Sequence, residues 1–201
     1  MSADSEIIRR SIDVPSAFAE LFERHAKVIG AFAARRVGSD AAQDILSETF
    51  LVAFRRRRDF DPSWDSAKPW LLGIATRLIG KHRGKEAAQW RAFEASAGGA
   101  ETWSDGAIDA LVKRTDAAAA LRALAPRIAA LTARDRDTLL LYAWGDLTYE
   151  QIAVAQGIPV GTVRSRLNRV RRKLSPPDIK PDHRQPWTKE EEANGRLGSR
   201  A

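Results

Sequence analysis

The sequence predicts an all-α protein made of two small helical domains joined by a flexible linker. Apolar residues recur at steps of three and four through most of the 201 residues, the period of one helix face, whereas strand-type alternation is scarce. Small and polar residues without a sustained period predict the linker. We expect an N-terminal arm (1–14), a first domain (15–91), the linker (92–115), a second domain (116–174) and a disordered, proline-rich tail (175–201).

The overall composition favours a polyanionic partner. The formal net charge is +7, although a solvated basic surface would give the same total. The chain has no cysteine, which excludes disulfides and thiolate metal sites. Neither a signal-peptide pattern nor a run of about 18 apolar residues is present, so we expect a cytoplasmic protein without membrane insertion.

The first domain is predicted to open with two helices separated by a break. One apolar face of the first helix is formed by Phe18, Leu21, Phe22, Ile29 and Phe32. Gly38 interrupts this pattern. In the next helix, Ile45 and the other apolar residues are predicted to face the core, while Asp44, Glu48 and Leu51 lie nearer the exposed side.

A third helix is predicted after a turn-rich segment, 60–70, that contains two tryptophans. Pro69 suits the first turn of that helix, and Trp70 next to it fits either the core or a surface role. One side of the helix is basic, with Arg77, Lys81, His82, Arg83 and Lys85. We interpret this helix as half core and half candidate nucleic-acid surface.

The second domain ends in a predicted helix-turn-helix at 148–173. Gly157 tolerates a left-handed turn between the two helices, and Pro159 pre-sets the backbone where the second helix starts. The buried face of that second helix is predicted to hold Val160, Val163, Leu167, Val170 and Leu174.

The opposite face of this helix is the most specific functional signal in the chain, because no acidic residue occurs between Glu150 and Asp178. Its polar members are Thr162, Arg164, Ser165, Arg166, Asn168, Arg169, Arg172 and Lys173. Such a surface suits phosphates and base edges, and the sequence leaves open which arginine contacts which. A structural helical hairpin with solvated arginines is the less favoured alternative, because so many cations without an acid are unusual on an ordinary helix face.

Three segments, in this order and spacing, resemble the bacterial sigma-70 family. They are DILSETF at 44–50, PWLLGIA at 69–75 and GTVRSRLNRVRRKL at 161–174. Within that family the chain resembles the two-domain extracytoplasmic-function sigma factors over roughly 17–174. The resemblance implies that the first domain binds RNA polymerase and opens the promoter at its minus 10 element, and that the second binds the minus 35 element and touches the polymerase flap.

The resemblance also assigns roles to residues. It places a polymerase-binding helix at Asp44, Ile45, Glu48, Leu51 and Phe54. It places the contact with minus 10 DNA at Lys68, Trp70, Arg77, Lys81 and Arg83. The family commonly has Gln where Ser47 stands, and Asn and Asp where Arg77 and Lys81 stand, so the base preference at minus 10 cannot be copied from relatives.

The leading functional prediction is therefore a promoter-specificity subunit of RNA polymerase, which is not an enzyme and needs no cofactor. Its expected partners are core RNA polymerase, promoter DNA and an anti-sigma factor between the two domains. A stand-alone helix-turn-helix repressor or activator is the alternative. A basic nucleic-acid enzyme is disfavoured because His25, His82 and His183 lie far apart, and Asp135 with Asp137 fits a charged surface more simply.

Overall fold

The computed structural model describes residues 3–97 and 126–175, and all regular structure within them is helical. The helices are α1 (Asp4–Asp13), α2 (Ala19–Arg55), α3 (Lys68–Ala97), α4 (Ala133–Ala143), α5 (Tyr149–Gln156) and α6 (Val160–Leu174). Short 3₁₀ turns occupy Pro15–Phe18 and Arg57–Asp59, and residues 126–129 are also helical. The all-α prediction is confirmed. Of the tail predicted at 175–201, residues 176–201 lie outside the described residues.

The residues predicted as an N-terminal arm form α1, which packs against the first domain. Ile7 and Ile8 are buried in the core, and the buried Ser11 hydroxyl donates to the carbonyl of Ile8 at 2.6 Å. An isolated helix of this length is marginal in water, so α1 depends on its packing rather than on helix propensity. The segment expected as an N-terminal arm therefore includes a helix that is packed on the first domain.

Helix α2 changes direction at Gly38, which separates helical segments at 19–37 and 39–55. The φ of Gly38 is 80°, a value that favours glycine, so the predicted break is confirmed. Leu21, Ile29 and Phe32 are buried as expected. Phe22 instead remains 45% exposed and packs edge-on against Phe50, with 4.8 Å between the ring centroids.

Helix α3 is the central element of the first domain. Pro69 lies in its first turn, as predicted, and its buried residues include Leu71, Leu72, Ile74, Ala75 and Ile79. The helix continues to Ala97, so 92–97 of the predicted linker are helical. The remainder of that linker, 98–115, lies outside the described residues.

The helix-turn-helix forms as predicted because its signals are local. The Thr148 hydroxyl accepts from the amide of Gln151 at 3.3 Å, and the Gln151 side chain accepts from the amide of Thr148 at 3.0 Å, a reciprocal cap on α5. Gly157 ends α5 with a φ of 65°. Helix α6 then starts directly after Pro159.

The two domains pack directly on each other, through α3 and α5. A Cβ at Gly73 would lie 2.9 Å from the carbonyl carbon and 3.0 Å from Cα of Ala155, and closer still to its oxygen, so the helices approach to backbone contact. Gly145 packs against the Leu72 side chain, since a Cβ at Gly145 would lie 3.1 Å from the Leu72 Cδ1. One hydrophobic core therefore spans both domains.

Candidate promoter and polymerase interfaces

The predicted minus 35 surface lies on α6, with its buried and exposed faces arranged as expected. Val163, Leu167 and Val170 are buried against the rest of the domain. The exposed side chains are those of Arg164, Ser165, Asn168, Arg169, Arg172 and Lys173, and Thr162 is half-buried near the start of the helix. Within the described residues this face is cationic along its whole length.

Two of the predicted DNA-contacting arginines also make contacts within the domain. Arg166 is half-buried and donates to the Gln156 side chain at 3.0 Å, and that same oxygen accepts from the Thr138 hydroxyl at 3.0 Å. Arg169 forms an ion pair at 2.9 Å with Asp135, whose side chain is 1% exposed. Asp135 thus belongs to the core instead of a charged surface, and both arginines hold α6 in place.

A cavity of about 450 Å³ lies at the start of α3 and contains aromatic and charged side chains. Its lining is Arg56, Asp59, Phe60, Asp61, Trp64, Ser66, Pro69, Trp70, Arg77 and Val154. Phe60 and Trp70 meet edge-on, with 5.3 Å between ring centroids, and both Trp64 and Trp70 are half-buried. Trp70 therefore serves the core and the cavity wall at once.

The predicted minus 10 residues do not all lie at this cavity. Trp70 and Arg77 line the cavity. Lys68 is half-buried and precedes the lining residue Pro69, and Lys81 is exposed one helical turn after Arg77. Arg83 is half-buried, and its guanidinium donates to the carbonyl of Arg36 at 2.6 Å. Since this contact holds Arg83 against α2, its assignment as a direct DNA contact is not supported in this conformation.

Arg77 connects the cavity to the second domain. Its guanidinium donates to the carbonyl of Ala155 at 3.4 Å, and Val154 of the same helix contributes to the cavity wall. Partial burial and the nearby charge of Arg56 lower the pKa of Arg77, although an arginine stays protonated at any physiological pH. The closed packing of the domains therefore covers part of the basic face of α3.

A buried ion pair also joins the domains. Arg36 of α2 pairs with Asp137 of α4, and the Arg36 side chain is only 3% exposed. Its Nε and Nη1 have no hydrogen-bond partner within the described residues. Burial lowers the pKa of Arg36, and the Asp137 charge opposes that shift. Asp137, predicted as part of a charged surface, thus makes the principal contact of a buried arginine.

The predicted polymerase surface lies on the 39–55 segment of α2. Asp44, Glu48 and Leu51 are exposed, and the 46% exposed Leu51 is among the largest apolar side chains on the described surface. Ile45 is 4% exposed and belongs to the core, so we remove it from the direct contacts. Phe54 is half-buried, with the Arg57 guanidinium 4.1 Å above its ring centroid.

The residues that the structure describes contain neither a cluster of metal-ligating side chains nor a membrane-spanning helix. No group of three or more His, Asp or Glu there could hold a metal ion. None of the helices in 3–97 and 126–175 is long and apolar enough to cross a membrane.

Comparisons with known proteins identify the family. Residues 21–89 match Sigma-70 region 2, and residues 121–174 match Sigma-70, region 4. Over 151 residues the chain is 34% identical to the ECF RNA polymerase sigma factor SigC of Mycobacterium tuberculosis, covering 73% of this chain and 73% of that relative. The chain belongs to the sigma-70 family, in its extracytoplasmic-function (ECF) subfamily. It is an RNA polymerase sigma factor.

Two solved structures share this fold. CnrH in complex with the cytosolic domain of CnrY gives a TM-score of 0.57 at 21% identity, covering 86% of this chain and 95% of that chain. The sigma factor RpoE in complex with the anti-sigma factor NepR from Bartonella quintana gives a TM-score of 0.52 at 21% identity, covering 78% and 93%. At this identity the likeness supports the two-domain helical fold alone.

Proposed function

We propose that the chain binds core RNA polymerase through the 39–55 segment of α2, reads minus 35 DNA with α6 and holds the opened minus 10 strand at the cavity before α3. The observation that carries this assignment is the separation of three surfaces with different chemistry on one small protein. A basic helix face, an aromatic cavity that contains both arginines and aspartates, and an acidic and apolar helix side lie on different elements.

The minus 35 assignment rests on α6. A helix presenting exposed arginines and a lysine can enter the major groove, where arginine pairs with guanine or with phosphate. Arg164 and Arg172 are the best candidates for direct contacts because both are exposed. Arg166 and Arg169 contact Gln156 and Asp135, so they orient the helix as well as adding positive charge.

The minus 10 assignment rests on the cavity. Opening a promoter exposes unstacked bases, which proteins hold by stacking on aromatic rings and by cations near the backbone. Trp64 and Trp70 supply rings, and Arg56 and Arg77 supply cations, within one cavity of about 450 Å³. That volume falls in the range of small-ligand sites and would admit one base.

The polymerase assignment rests on the exposed side of 39–55. Asp44 and Glu48 suit a basic partner surface, and the exposed Leu51 adds apolar area beside them. Reversing both charges should weaken binding to core polymerase and leave duplex binding by α6 intact. Reversal at Glu6, an exposed acid on α1, is the matched control.

The proposed role requires no catalytic group or cofactor from this chain, and it places the protein in the cytoplasm with its polymerase. An anti-sigma factor remains a predicted partner. The stand-alone regulator is not favoured, because region 2 of the sigma-70 family matches 21–89.

The proposal is tested by transcription in vitro from a DNA library randomised at the minus 35 and minus 10 positions. Core polymerase with the chain should select transcripts that share two motifs, and alanine at Arg164 and Arg172 should reduce that selection at minus 35 only. Alanine at Arg134, exposed on α4, is the control for loss of positive charge. A chain that forms no complex with core polymerase and selects no transcripts would contradict the proposal.

A further inference from the structure

Helix α1 contacts two of the chain segments that line the cavity. One segment is the 3₁₀ turn Arg57–Asp59, which is flanked by Arg56 and followed by Phe60. The other is the loop that carries Trp64 and Ser66 into α3. Neither segment has the internal hydrogen bonding of a long helix, so its position depends on contacts with its neighbours.

The N-terminal end of α1 holds the loop through Asp4, whose side chain is 6% exposed. The amide of Asp4 donates to the carbonyl of Asp65 at 3.0 Å, and the Asp4 carboxylate accepts from the amide of Ala67 at 2.8 Å. These two bonds enclose Ser66, a residue of the cavity wall. The loop is therefore tied to α1 on both sides of a cavity residue.

The same carboxylate is fixed by α2. His25 Nε2 lies 2.6 Å from one Asp4 oxygen, and Arg24 donates to the other at 3.0 Å. Burial alone would raise the pKa of Asp4, but hydrogen bonds from His25 and the Ala67 amide, with Arg24, lower it to about 2. Asp4 is thus an ionised, buried group whose acceptor capacity is used by three different donors.

The C-terminal end of α1 holds the other segment. Arg57 Nε donates to the carbonyl of Ser11 at 3.2 Å, and Arg57 Nη1 donates to the carbonyl of Phe54 at 2.7 Å. The Arg57 guanidinium also stacks on the Phe54 ring. Because Arg57 is bound to α1, the turn that bears Arg56 and Asp59 keeps one position relative to the loop at Ser66.

We propose that α1 braces the cavity before α3 and that Asp4 is a positioning residue for minus 10 strand capture. Asp4 contacts no DNA in this arrangement and acts through the loop at 65–67. The inference rests on the proposed function of the cavity, whereas the brace itself is a property of the fold. Losing the carboxylate should free the loop, widen the range of Trp64 and Ser66 positions, and slow the step in which an unstacked base is held.

The test compares Asp4→Asn with Glu6→Gln in the full-length chain. Both substitutions remove one negative charge from the first turn of α1, but Glu6 is exposed and only Asp4 contacts the loop. Hydrogen exchange of the Ala67 amide should become at least about tenfold faster in Asp4→Asn and stay unchanged in Glu6→Gln, since tenfold corresponds to ~1.4 kcal/mol, about one hydrogen bond to a charged group.

The functional measurement uses core polymerase and a selected promoter carrying 2-aminopurine in the minus 10 element. Asp4→Asn should lower the rate of strand opening about tenfold while the affinity for core polymerase stays at the wild-type value. A defect in general folding would reduce both quantities together, so this split separates positioning from stability. His25→Ala, which removes one donor to Asp4, should change the rate of strand opening in the same direction by a smaller amount. If Asp4→Asn does not fold, His25→Ala provides the test of the positioning role.

Wild-type exchange at Ala67 in the folded variants would overturn the brace, whatever the promoter measurement gives. Faster exchange at Ala67 combined with a wild-type opening rate would overturn the positioning role. Failure of both the wild-type chain and Glu6→Gln to open any promoter would count against the proposed function instead.

Discussion

Replacing Gly73 with alanine should separate the two domains without unfolding either of them. The added Cβ would lie 2.9 Å from the carbonyl carbon of Ala155 and nearer still to its oxygen, and a backbone group cannot rotate away as a side chain can. The chain offers a matched control in Gly80→Ala on the same helix, where a Cβ meets no atom within 4 Å. Both substitutions give α3 the same gain in helix propensity.

The expected magnitude follows from the two contributions. Alanine in place of glycine in a helix interior contributes up to about 1 kcal/mol of stability, and this should appear alone in Gly80→Ala. Overpacking a close contact costs about 1–3 kcal/mol, and this adds only at Gly73. We call the chain closed when α3 and α5 are in contact and open when they are apart. A cost of about 1–3 kcal/mol at this contact raises the ratio of open to closed chains about 5- to 150-fold.

Distance measurements between spin labels can detect this shift, because the chain has no native cysteine to compete with introduced ones. Cysteines at Glu23 and Arg134 place one label on each domain at exposed positions. Wild type and Gly80→Ala should share one narrow distance distribution, and Gly73→Ala should add longer distances while its helical circular dichroism stays unchanged. A distribution identical to wild type in Gly73→Ala would refute the backbone contact.

Three further predictions concern buried charges. Asp137→Asn should lower the free energy of unfolding by about 3 kcal/mol in urea titrations, because it leaves Arg36 buried without its carboxylate; a change below about 0.5 kcal/mol would contradict this. Arg169→Ala should lower both the affinity for minus 35 DNA and the melting temperature, because the 1% exposed Asp135 loses its cation. Arg172→Ala should lower the affinity alone, so equal melting temperatures of the two variants would argue against the ion pair. The lowered pKa of Asp4 stabilises the fold by about 2 kcal/mol above pH 3.8, and this contribution should disappear as pH falls to about 2. The difference in free energy of unfolding between wild type and Asp4→Asn should therefore shrink in acid, and a difference that does not change with pH would contradict this.

Features that depend on near neighbours in the chain could be predicted from the sequence. The left-handed Gly157 and the buried face of α6 each involve residues within a few positions of one another. The break at Gly38 belongs to the same class, because a positive φ is a local property of glycine. Gly157 and the buried face of α6 determine the helix-turn-helix and hence the position of the proposed minus 35 surface.

Features that depend on distant segments could not be predicted in this way. Asp4 meets Ala67 and His25, and Arg36 meets Asp137, only after the helices have packed. A charged residue in sequence is usually exposed, so a buried Asp4 gives no signal of its own. The two isoleucines at 7 and 8, followed by Ser11 one turn later, were the available indication of a buried face on α1.

Helix α5 contacts two of the proposed DNA-binding elements in the closed packing, namely α6 and the cavity before α3. One side of α5 packs against α6, whose exposed arginines face away from it. The other side accepts a hydrogen bond from Arg77 and contributes Val154 to the cavity wall. A duplex on α6 would therefore require no rearrangement, whereas a strand in the cavity would meet an exposed Arg77 whose guanidinium is already bonded to the Ala155 carbonyl of α5. Separation of α5 from α3 would release that guanidinium for the strand. By linkage, a ligand that favours the separated domains and the opened strand would raise each other's affinity by one common factor. The 39–55 segment lies outside the α3–α5 contact, so under the proposed function core polymerase can bind it in the closed or the open chain. Core polymerase then favours the open chain only if it also holds the second domain apart from the first.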